Sequence, residues 1–75
     1  MQDIGVNGQT VTLIALPLIF QQFHESGKTA SPESTQSLLE TAKIYNPIPT
    51  GEDEVYATAL AQEYAAYCER KEAAQ

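Results

Sequence analysis

A chain of 75 residues is long enough for one domain and too short for two. Ten acidic side chains against four basic ones give a formal net charge of −6, and 43% of the residues are hydrophobic. That is too apolar for a disordered chain, and the four scattered cations (Lys28, Lys43, Arg70, Lys71) neutralise too few phosphates for direct binding of nucleic acid. The carboxylates are spread along the chain rather than arrayed in a stripe, so they read as solubility and not as mimicry of nucleic acid. The single cysteine, Cys68, allows no internal disulfide and suits a reducing compartment. The longest apolar stretch, Val11 to Phe20, is broken by Thr12 and Pro17 and is about half the ~20 residues of a membrane-spanning helix. The start of the chain lacks the basic residues of a signal peptide. The expected location is the cytoplasm, with neither membrane nor nucleic acid as partner.

Residues 3–14 read as a β-hairpin. Asn7-Gly8 tolerates the positive φ angles of a type I′ turn, and it pairs Val6 with Gln9 and Ile4 with Val11. Ile4, Val6, Val11 and Leu13 then share one apolar face. A two-stranded sheet is not stable alone, so that face needs a cover. The next segment supplies it: Pro17 fits a first helical turn, Leu16, Ile19, Phe20 and Phe23 recur at helical spacing, and Gly27 is placed to cap. This predicts a helix over 16–26, with Leu18 outside its stripe, on the side of Glu25.

Ser31-Pro32-Glu33 is a start signal made of a hydroxyl cap, a first-turn proline and a carboxylate at the positive helix end. The predicted helix, 32–45, carries Thr35, Leu38, Leu39, Ala42 and Tyr45 on one side. It ends there because Asn46 precedes Pro47 and is pushed away from helical angles. Asn46-Pro47-Ile48-Pro49 is a stiff connector. Thr50 is then expected to cap a last helix over 51–71, with Asp53 completing an imperfect capping box. Its apolar stripe is Val55, Tyr56, Ala59, Leu60, Tyr64 and Tyr67, with Glu63 in the same arc, and the tail from Glu72 is expected to fray. The expected fold is one α+β domain over 1–75, ββααα in order, with a single shared core. The alternative is an all-helical three-helix bundle with an extended N-terminus.

Few residues point to chemistry. His24 is the only histidine and has no second ligand or nucleophile at a diagnostic spacing, so it reads as a boundary residue, with no metal expected. Cys68 has no resolving partner and reads as a small packing residue. The glycines sit singly and form no phosphate-cradling pattern. No cofactor and no catalytic set are expected, and an enzyme is the least supported reading. Tyr56, Glu63, Tyr64 and Tyr67 share a helix face and are the candidate ligand-binding residues, a carboxylate among flat phenols. Against that stands the commoner role of such tyrosines as the rim of a core.

The order Val6-Asn7-Gly8, an apolar helix entry, then Tyr45-Asn46-Pro47-Ile48-Pro49 and Tyr56-x-x-Ala59-Leu60-x-x-Glu63-Tyr64, resembles short uncharacterised prokaryotic proteins with a Val-Asn-Gly start and a Tyr-Asn-x-Ile-Pro connector. The resemblance spans most of the chain and implies no activity. Ile14 and Leu18 are apolar residues surplus to the stripe, and a domain this small buries only ~60% of its unfolded surface. Both features lead to the same expectation: a small acidic protein-interaction module, with a protein partner, forming a homodimer through Ile14 and Leu18. The alternative is an accessory protein or small-ligand binder with a Tyr/Glu-lined site.

Overall fold

Two short strands and three helices meet around one core in the computed structural model, which describes residues 2–73. Strands β1 (Gln2–Val6) and β2 (Gln9–Leu13) pair antiparallel, with Val6 opposite Gln9 and Ile4 opposite Val11. Asn7 at φ 52 and Gly8 at φ 76 supply the two left-handed residues that the turn requires. The register puts Ile4, Val6 and Leu13 on the buried face and Val11 at its edge. This is the α+β arrangement expected, and the all-helical alternative is excluded.

Helix α1 (Leu16–Glu25) starts without a side-chain cap, on Ala15 in the left-handed region at φ 65. It ends in a Schellman arrangement. Lys28 N–H donates to the Phe23 carbonyl at 3.1 Å and Gly27 N–H to the His24 carbonyl at 3.0 Å, with Gly27 at φ 80. Helix α2 (Pro32–Tyr45) is capped by Ser31, whose Oγ accepts from Ser34 N–H at 3.3 Å. Leu16, Ile19 and Phe20 of α1 and Leu38, Leu39 and Ala42 of α2 enter the core. Tyr45, expected on the same stripe, is instead 50% exposed. It is the last residue of α2, and the turn out of the helix at Asn46 carries it clear of the core.

Helix α3 (Asp53–Ala73) begins later than expected, and Thr50 is not its cap. Thr50 and Gly51 are the middle of a β-turn closed by Glu52 N–H donating to the Pro49 carbonyl at 3.2 Å. Gly51 stands at φ 91, the angle that the third position of a type II turn demands and a helix forbids. Asp53 is therefore a first-turn residue, and its carboxylate pairs with Lys43 across the connector rather than closing a capping box. At the other end the helix runs on through Ala73, so Glu72 is helical; residues 74 and 75, also expected to fray, lie outside those described. Twenty-one residues span ~31 Å at 1.5 Å each, which accounts for the long axis of a molecule measuring 37 × 21 × 19 Å. Tyr56, Ala59, Leu60 and Tyr64 are its buried residues.

The connection between β2 and α1 is locked by Asn46. Its Oδ1 accepts from Ile14 N–H at 2.8 Å, and its Nδ2 donates to the carbonyls of Ile14 at 3.2 Å and Ala42 at 3.1 Å. One buried side chain thus joins the hairpin's exit to the end of α2. It also holds the backbone beside the left-handed Ala15, a conformation costing about 1–2 kcal/mol for a residue with a Cβ.

Candidate functional site

Tyr56, Glu63, Tyr64 and Tyr67 do not converge on a cleft. Tyr64 is fully buried, and its hydroxyl donates to the Lys28 carbonyl at 2.7 Å, tying α3 to the loop after α1. Around it Phe20, Phe23 and Tyr67 form an aromatic cluster. The Phe20 and Tyr64 centroids are 5.5 Å apart, Phe20 and Tyr67 5.7 Å, and the Tyr64 and Tyr67 rings stack at 6.5 Å. These separations are those of packed core aromatics. Burial, then the neighbouring Cys68 thiol and Tyr67 phenol, push the Tyr64 phenol up from 10.0 to about 12. Its proton is therefore held in the core and is not poised for exchange at neutral pH. Tyr56 lies two turns earlier, ~12 Å along the helix axis, and is buried in the core. Glu63 is half-buried. Tyr56 and Tyr64 are thus core residues, and of the three tyrosines only Tyr67 stands at the core's rim.

Two clefts, each of about 370 Å³, lie elsewhere. One sits where α1 and α3 end, lined by His24, Lys28, Cys68 and Glu72 among others. There His24 stands edge-on to Tyr67 at 6.0 Å, Lys28 lies over the Phe23 ring at 5.7 Å, and Cys68 is half-buried against the core. Imidazole and ammonium thus each lie beside an aromatic ring. The other cleft lies between β1 and α3, lined by Gly5, Asn7, Glu54, Val55, Thr58, Ala59 and Gln62. Among the described residues no group of three or more His, Cys, Asp and Glu side chains is placed to hold a metal ion. No helix among them is long and apolar enough to cross a membrane.

Ile14 and Leu18 both lie on the surface, at 46% and 54% exposure, while Leu16, Ile19 and Phe20 between and beyond them are buried. The Asn46 clamp sets Ile14 beside the end of α2, where Tyr45 is also exposed. Ile44, at 77%, is a fourth large apolar residue in water. Sequence periodicity missed Tyr45 and Ile44, because it counts positions on a helix and not where the neighbouring elements stop. No protein-family model, curated protein or solved structure matches the chain.

Proposed function

We propose that the chain is a small protein-interaction module that self-associates through the face carrying Ile14 and Leu18. The observation behind this reading is that face's combination of exposed apolar side chains and sparse charge, with Glu25 two turns beyond Leu18 at its margin. From Ile4 to Phe23 there is no Asp, Glu, Lys or Arg, so Asp3 is the sole formal charge before Glu25. The exposed residues around Leu18 are Pro17, Gln21 and Gln22. In a chain of net charge −6, eight of the ten acidic residues lie beyond α1, so a contact through this sparsely charged face meets less like-charge repulsion.

The partner is thus a second copy related by a two-fold axis, the commonest arrangement of soluble oligomers. Ile14, Leu18 and Tyr45 form the apolar centre, and glutamine side chains form an adaptable polar rim. The exposed apolar area is modest, so the dimer is weak and concentration-dependent rather than obligate. No catalytic role is assigned, and the cytoplasm remains the proposed location. Sedimentation velocity across micromolar to millimolar concentrations tests the reading. The native chain is expected to shift from monomer to dimer, and Leu18→Asp to stay monomeric with its fold intact. A native chain that sediments as a monomer throughout contradicts it.

A further inference from the structure

The hairpin has a second property that the Ile14 and Leu18 face does not use. In a hairpin closed by a two-residue turn, the residues flanking the turn exchange both hydrogen bonds, and bonded pairs alternate with non-bonded ones from there. Val6 with Gln9 and Ile4 with Val11 are therefore the bonded pairs. Asp3 and Gly5 turn their N–H and C=O groups away from β2. Among the described residues no backbone bond outside the hairpin engages them, and both residues are exposed. Among the described residues the sheet contains only these two strands, so this edge of β1 is open.

The open edge borders a built groove. Glu54, Thr58 and Gln62 recur every four residues along α3 and make one ridge, while Val55 and Ala59 make the next and are more deeply buried. The cleft of about 370 Å³ thus has an apolar floor, a polar helical wall, the edge of β1 as its second wall and Asn7 at one end. A Cβ built on Gly5 meets nothing within 4 Å, so the outer face of the strand is open at this position. The helical wall offers acceptors at Glu54 and Thr58 and an amide at Gln62. Glu54 offers a carboxylate, and the Thr58 hydroxyl proton already goes to the Glu54 carbonyl at 3.0 Å, which leaves its oxygen free to accept.

We infer that this groove binds a short extended peptide segment that adds to β1 as a third strand and directs a basic side chain to Glu54. Main-chain pairing supplies the affinity of such strand addition, and the pockets beside it supply the selectivity. The two outward residues Asp3 and Gly5 match a segment of roughly three residues at ~3.4 Å rise. A second copy is the wrong occupant, because β1 paired to β1 brings the Asp3 and Glu54 carboxylates of both copies together. The groove shares no residue with the self-association face, so either can fail without the other.

The test is an NMR titration of the full chain with the acetylated and amidated peptide Thr-Val-Lys-Val-Thr. Controls are the same peptide with Glu in place of Lys, and the Lys peptide N-methylated at alternate amides. Binding is expected to protect the Asp3 and Gly5 amides from exchange, with N-methylation weakening it about tenfold. Glu54→Lys is expected to weaken the Lys peptide by about threefold to fivefold and to favour the Glu peptide. Three results overturn the inference: no shift at these amides up to the solubility of the peptide, equal affinity for the Lys and Glu peptides, or protection of Asp3 and Gly5 in the free protein at high concentration. The last assigns the edge to a second copy.

Discussion

At the scale of single residues, Asn46 and Tyr64 do more than their types announce. Asn46 satisfies both backbone groups of Ile14 and the Ala42 carbonyl. Asn46→Ala leaves both Ile14 groups without partners in a part-buried place, while the Ala42 carbonyl keeps its bond from the residue 46 N–H, and the expected loss is about 2–3 kcal/mol, read from the urea midpoint. Tyr64 gives a pH signature. Its phenol ionises at about 12 in the folded chain against 10.0 in the open one, with burial the first cause. The folded state therefore keeps a proton that the unfolded state sheds, so the stability this group contributes is complete below pH 10 and is lost as pH rises through about 12. Tyr64→Phe is expected to lower stability by about 1 kcal/mol at neutral pH by removing the bond to Lys28. It should also flatten the alkaline fall, which urea titrations of both chains between those pH values will show. Neither role was visible in the sequence. Asn46 before a proline reads as a helix stop, and only the fold reveals that its side chain reaches a residue 32 positions away.

At the scale of elements, most boundaries were legible because they rest on local chemistry. Asn7-Gly8, Ser31-Pro32 and Gly27 each do what their backbone preferences dictate. The start of α3 was misread because Thr50-Gly51 fits two local patterns, a helix cap and a β-turn, and the left-handed Gly51 selects the turn. The glycines separate these cases by experiment. Gly51→Ala places a Cβ at φ 91 and should cost about 1 kcal/mol or more in thermal or urea unfolding. Gly5→Ala, where a Cβ meets open space, should change stability by no more than about 0.5 kcal/mol. Equal costs at the two positions would mean that the turn at Gly51 is wrongly described. The tyrosine face shows the opposite limit of sequence reading. Helical spacing put Tyr56, Glu63, Tyr64 and Tyr67 in one arc, yet α1 packs Phe20 and Phe23 against Tyr64, making that part of the arc core.

At the scale of the whole molecule, charge is divided rather than uniform. One acidic residue lies in the first 24, and nine acidic and four basic residues lie beyond them. The hairpin and α1 carry only two charged side chains, Asp3 near the start and Glu25 at the end, and the stretch between them holds Ile14 and Leu18 in water. A small domain has little apolar surface to spare, and the proposed self-association would cover these side chains. Mixing isotope-labelled with unlabelled chains and recording contacts between copies tests this most directly. The account predicts inter-copy contacts to the methyl groups of Ile14 and Leu18, lost in Leu18→Asp. Contacts confined to other surfaces, or none at millimolar concentration, would contradict it.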